Sequence, residues 1–155
     1  MPSILFICTA NQCRSPMAEA MLTAKVAVVN QSDANAWIIG SAGTSAADGI
    51  MATPFARQVM AARGLNLESH RSRVVTASLF ESADLILVMT RNHREALCIE
   101  FPQFKHKIHL LSDLIDQTFD IDDPAGGDEE DYRVCADEMG QIIDKGFQRI
   151  VEWAA

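Results

Sequence analysis

A thiol and a guanidinium separated by five small or polar residues can do nucleophilic chemistry on an anion. Cys8-Thr9-Ala10-Asn11-Gln12-Cys13-Arg14-Ser15 is such a stretch. A loop that wraps an anion presents successive backbone N–H groups inward, and a following helix N-terminus adds partial positive charge. The same field favours the thiolate, the nucleophilic form of cysteine. Arginine offers a planar fork that can hold two oxygens of a phosphoryl group and counter charge during its transfer. Cys8 is therefore the expected nucleophile. Thr9, Ala10, Asn11, Gln12, Cys13, Arg14 and Ser15 are the expected phosphate-binding residues. The spacing alone is only moderately specific, since a buried cysteine followed by a surface arginine would match it. Its setting between a strand and a helix is what favours chemistry.

The elements that must position this loop can be read along the chain. Ser3–Ile7 is a short unbroken apolar run, as in a strand buried on both faces. Pro16 to Val29 reads as a helix rich in Ala, Met and Leu, with Pro16 tolerated in its first turn. Trp37–Gly40, Asp84–Met89 and Lys107–Leu111 read as three more strands. Thr53–Ala62, Asn92–Leu97 and Glu129–Trp153 read as helices, the last with Tyr132, Cys135, Met139, Ile142, Ile143 and Ile150 at helical spacing. Residues 112–127 read as a long polar loop. Strands alternating with helices predict a three-layer α/β fold, a four-stranded parallel sheet with helices on both faces, as one domain over residues 1–155. Ligands in such sheets bind outside the carboxyl ends of the strands. The loops after Ile7, Gly40, Met89 and Leu111 should gather there.

Composition narrows the function. The net charge of −8 and pI near 4.8 argue against nonspecific nucleic-acid binding, which needs a basic surface. Met1-Pro2-Ser3 has no basic region, Ile4–Ile7 is too short for a secretory segment, and no apolar run nears the roughly 20 residues of a membrane span. A reducing cytoplasm and mostly free thiols are expected for Cys8, Cys13, Cys98 and Cys135. Their spacing makes no zinc pattern, so no metal and no cofactor is expected. Cys98 and Cys135 read as structural.

Residues 4–16, ILFICTANQCRSP, resemble the N-terminal signature of the low-molecular-weight protein tyrosine phosphatases. Ser41-Ala42-Gly43-Thr44, His70-Arg71-Ser72-Arg73, the strand Asp84–Met89, Asp123-Pro124 and a long C-terminal helix continue the resemblance in order. It implies the phosphotyrosine phosphatase I-like fold, of flavodoxin-like appearance. It also implies hydrolysis of phosphotyrosine monoesters through a cysteinyl-phosphate intermediate, releasing inorganic phosphate.

The resemblance places the general acid on Asp123. Pro124 biases that residue toward extended backbone and helps aim it. The bland alternative is a solvated acidic loop with Asp122 as competitor. Asn11, Ser41 and His70 match the family's residues that brace the phosphate loop. His93, His106 and His109 carry no such match. The resemblance further implies that Cys13 can form a reversible disulfide with Cys8. The implied partner is a phosphorylated protein, which for a bacterial-type member includes an autophosphorylating tyrosine kinase. A monomer and a weak homodimer stay open.

Three departures bear on this. Ala10 stands where the family usually has glycine, and Thr90 where an aspartate is common. Asp123-Pro124 is followed by Ala125-Gly126-Gly127 instead of aromatic residues, and Gln12 is polar where an apolar side chain often sits. These weaken tight phosphotyrosine selectivity. They leave phosphoarginine phosphatase as the nearest alternative, with arsenate reductase and an inactive phosphate-binding module ranked lower.

Overall fold

A computed structural model describes residues 1–29 and 36–155. Four strands, β1 (Ser3–Cys8), β2 (Ile38–Gly43), β3 (Leu85–Val88) and β4 (Ile108–Leu110), form one parallel sheet in the order β2-β1-β3-β4. The helices are α1 (Arg14–Val29), α2 (Pro54–Ala62), α3 (Ala77–Ser82), α4 (Arg91–Glu100) and α5 (Glu129–Trp153). Strand order reverses direction at β1, so the crevice beyond its carboxyl end lies at the topological switch point.

The alternation of side chains along β1 and β3 divides the interior into two cores. Ile4, Phe6, Leu85 and Leu87 face α1, α2 and α5, where Met17, Leu22, Met60, Met139 and Ile143 complete a buried cluster. Leu5, Ile7, Ile86 and Val88 face the other way, onto Phe80 of α3, Leu97 of α4 and the rings of Phe101 and Phe104. This is why the strands read as continuous apolar runs. Among the described residues no helix is long and apolar enough to cross a membrane.

Three local readings change. β2 runs on to Gly43 because Ser41, Ala42 and Gly43 pair with Phe6, Ile7 and Cys8. Ser41 is thus a strand residue, not part of a loop after Gly40. Helix α3 shows no sequence periodicity because it is a single short stretch, capped by Thr76 Oγ1 on the Leu79 N–H, that buries only Phe80. Residues 112–127 are not one loose loop. Leu111–Ile115 form a 3-10 helix that buries Leu111 and Leu114, and Ile121 is buried with its N–H on the Met89 carbonyl at 2.9 Å. Scattered apolar residues tie this acidic segment down, and they bring Asp123 back to the sheet edge.

Helix α5 passes so close to that 3-10 helix that position 146 must lack a side chain. A Cβ at Gly146 would lie 2.5 Å from Leu114 Cβ and 3.0 Å from its carbonyl oxygen. On an open helix surface, Gly→Ala stabilises by about 1 kcal/mol. Here Gly146→Ala should instead lower stability by about 1–3 kcal/mol through overpacking. A urea melt measures this, and a raised midpoint would contradict the close contact.

Candidate active site

The loop between β1 and α1 is held from outside by its carbonyl oxygens. Those of Cys8 and Thr9 accept from the N–H groups of Thr44 and Ser45, each at 2.9 Å. The Asn11 carbonyl accepts from His70 Nε2 at 2.7 Å, which places that ring's proton on Nε2. The Gln12 carbonyl accepts from Thr53 N–H at 2.9 Å and the Cys13 carbonyl from Met17 N–H at 3.1 Å. In a trans peptide the N–H points opposite to the carbonyl. The N–H groups of Thr9, Ala10, Gln12, Cys13 and Arg14 therefore turn to the loop's inner side. Asn11 makes the turn possible with a left-handed backbone, φ 58°, which asparagine tolerates better than most residues. Ala10 keeps an ordinary backbone, so the loop does not need glycine there. Gly43 does need to be glycine, because a Cβ would run into the Thr9 carbonyl and lie 3.0 Å from Asn11 N.

A polar chain beneath the loop orients Cys8. Asn11 Nδ2 donates to Ser15 Oγ at 2.8 Å and to Ser41 Oγ at 2.9 Å. Ser41 in turn donates to Glu19 Oε1 at 2.7 Å. Ser15, already accepting from Asn11, lies 3.0 Å from Cys8 Sγ and has its own hydrogen to offer a thiolate. Asn11 Oδ1 accepts from Arg73 N–H at 3.1 Å, and Arg73 Nε donates to the Ser41 carbonyl at 2.9 Å. Burial raises the Glu19 pKa, opposed by the Ser41 hydrogen bond and the His70 and Arg73 charges.

Arg14 opens α1 and is 3% exposed. Its Nη1 donates to the Ile121 carbonyl at 2.8 Å. Its Nη2 lies 3.5 Å from both Thr9 Oγ1 and Asp123 Oδ2, while its Nε is buried with no protein partner. Asp123 is 46% exposed at its side chain, and its Oδ1 accepts from Ala125 N–H at 3.0 Å and from the Cys13 thiol at 3.6 Å. Burial, then the Cys8 and Asp123 charges, push the Cys13 thiol up in pKa.

The structure thus brings Cys8, Thr9–Ser15, Asp123, Ser41 and His70 into one site. It adds residues that sequence reasoning passed over. Glu19 lies one helical turn after Ser15, a spacing that was visible on α1. Arg73 stands in the sequence only as the last residue of the His70–Arg73 motif. Tyr132 Oη accepts from Thr53 Oγ1 at 3.1 Å, and its ring tilts against Phe55 at 5.6 Å between centroids. This aromatic pair stands next to the Gln12 anchor, supplied by α2 and α5 and not by the residues after Pro124. His93, set aside on sequence, is buried with Nε2 at 2.9 Å from Thr9 Oγ1. Burial and then the Arg14 charge lower its pKa to about 4, so its ring is neutral at pH 7. Thr90, in place of an aspartate, caps α4 by accepting the His93 N–H at 3.1 Å.

Comparison with known proteins agrees with this geometry. Residues 3–152 match the family model described as low molecular weight phosphotyrosine protein phosphatase. The chain is 36% identical to a protein-arginine-phosphatase of Geobacillus stearothermophilus, covering 95% of each chain. It is 36% identical to the low molecular weight protein-tyrosine-phosphatase Wzb of Salmonella typhi, covering 97% of this chain and 91% of that one. Its fold superposes on the low molecular weight protein tyrosine phosphatase from T. tengcongensis with a TM-score of 0.88 at 32% identity, over 96% of this chain and 99% of that one. A family match over nearly the whole length, with relatives covered end to end, establishes that this chain belongs to the low molecular weight phosphotyrosine protein phosphatase family.

Proposed function

We propose that the chain hydrolyses phosphotyrosine monoesters of a phosphorylated protein, with Cys8 as nucleophile, Arg14 as phosphoryl-binding residue and Asp123 as general acid. One observation carries the reading: the amides of the loop that joins Cys8 to Arg14 turn inward, Arg14 Nε is buried without a partner, and the Asp123 carboxylate lies 3.5 Å from Arg14 Nη2. An anion seated there would meet the loop dipoles and the guanidinium together.

In the first step the Cys8 thiolate forms an S–P bond as the P–O ester bond breaks, and Asp123 gives its proton to the leaving oxygen. In the second, Asp123 takes a proton from water, whose oxygen bonds to phosphorus. The S–P electron pair returns to Cys8, and inorganic phosphate leaves. Ser15 Oγ supports the departing thiolate in both directions. Cys8→Ser should abolish hydrolysis of para-nitrophenyl phosphate, and Asp123→Asn should lower kcat by roughly 10²–10³. Equal rates for wild type and Cys8→Ser would sink the mechanism.

A second substrate reading, phosphoarginine, is favoured by Ala125-Gly126-Gly127, where no ring follows Pro124, and by the arginine phosphatase relative. The same two steps apply with a P–N bond broken and the Asp123 proton delivered to nitrogen. Paired kcat/KM values on phosphotyrosine and phosphoarginine peptides decide between them. The tyrosine reading expects the phosphotyrosine peptide to be preferred by at least about tenfold, and the reverse preference would replace it.

The proposal extends to Cys13. After peroxide converts Cys8 to its sulfenate, the Cys13 sulfur would displace hydroxide and close a disulfide. Under excess peroxide, wild type held as the disulfide should then regain activity with a thiol reductant, while Cys13→Ser, whose Cys8 sulfenate is oxidised on to the irreversible sulfinic acid, should not. Equal recovery of both would remove Cys13 from this role.

A further inference from the structure

His93 stands apart from the Asn11–Ser15–Ser41 hydrogen-bond chain, yet it is buried against the second residue of the phosphate loop. It sits in the first turn of α4, whose start is fixed by the Thr90 cap at the end of β3. Its Nε2 is 2.9 Å from Thr9 Oγ1, and its Nδ1 is buried without a partner. A lone pair is a cheaper atom to leave unpaired in the interior than an N–H. The proton therefore belongs on Nε2, and the ring donates to Thr9. Thr9 Oγ1 then receives the His93 N–H and faces the Arg14 Nη2–H at 3.5 Å.

We propose that His93 is a positioning residue: through Thr9 Oγ1 it ties α4 to the phosphate loop and sets the seat of the Arg14 fork. This rests on the phosphatase reading above and deepens it. The groups facing the ring are Thr9, Arg14, Asp120 and Asp123. Its neutrality at working pH follows from burial and from Arg14, whose charge opposes a second cation. A neutral ring can hold Thr9 without repelling Arg14. It takes no part in proton transfer.

The experiment compares His93→Gln, His93→Asn and Thr9→Val with wild type. The glutamine amide nitrogen can stand where Nε2 stands, whereas that of asparagine falls short, near Nδ1. Steady-state kinetics on para-nitrophenyl phosphate should show KM raised about tenfold in His93→Asn and Thr9→Val, the scale of one lost hydrogen bond beside a charge. The change in kcat should be smaller. His93→Gln should stay within about threefold of wild type. Adding His93→Asn to Thr9→Val should cost nothing further, since both remove the same link. The pH–rate profile of His93→Gln between pH 5 and 8 should keep the wild-type inflections.

Calorimetric titration with inorganic phosphate should show the same pattern in Kd without turnover. A phosphate-binding protein with no phosphatase activity would overturn the function reading alone. Equal behaviour of the glutamine and asparagine variants, or independent effects of His93→Asn and Thr9→Val, would overturn the positioning role. So would an inflection lost in His93→Gln.

Discussion

An anion cradle made of backbone has a cost that must be met outside it. Turning the amides of one loop to a single side turns its carbonyls to the other, and each buried carbonyl left unpaired would cost about 1–3 kcal/mol. The site rests on that constraint. Donors arrive from the end of β2, from His70, from Thr53 ahead of α2 and from α1 itself. Each comes from a different part of the chain, so the loop takes its shape only once the sheet and the helices on one face are in place. Gly43 shows how tightly they close, since a single methyl there would strike the loop backbone.

The same logic governs the polar chain under the loop. Asn11 Nδ2 can only donate, so Ser15 and Ser41 must both accept. Ser41 then needs an acceptor for its own hydrogen, and Glu19 provides it. Burying a carboxylate next to an anion site looks wasteful, and burial does raise the Glu19 pKa. Its place in the chain explains it: with Asn11 donating both ways, Glu19 takes the Ser41 hydrogen at one end, and the Ser15 hydrogen is left for Cys8 at the other. The Ser41 hydrogen bond and then the Arg73 charge oppose that rise and make the burial tolerable.

How much of this was legible in the sequence depended on separation along the chain. Cys8, Asn11, Arg14 and Ser15 lie along one loop and the start of α1, so their types and spacing carried their geometry. The four strands were legible because both faces of β1 and β3 are buried. His93 was not legible, because its partner lies 84 residues away and a lone histidine has no spacing to read. Arg73 and Tyr132 were hidden in the same way, one in a short motif and one on an apolar stripe. The segment 112–127 misled through composition. Its acids outnumber Leu114 and Ile121, but those two buried residues decide where Asp123 goes.

Substrate choice turns on the same distinction between sequence position and place in space. The run after Pro124 lacks a ring, which in sequence looks like a missing wall. Phe55 and Tyr132 nevertheless bring two rings beside the Gln12 end of the loop, held by the Thr53 hydroxyl and by the Thr53 N–H on the Gln12 carbonyl. Tyr132 is almost fully buried, so it stiffens that rim more than it offers a face for stacking. The mouth therefore combines a rigid, ring-backed side near Gln12 with an open side at Ala125-Gly126-Gly127. A flat aromatic ester gains stacking of about 0.5–1.5 kcal/mol only where a ring face is exposed to it. On the proposed function, discrimination between an aromatic and a guanidinium leaving group would come chiefly from Gln12 and the open loop, because the cradle meets the phosphoryl group that both share.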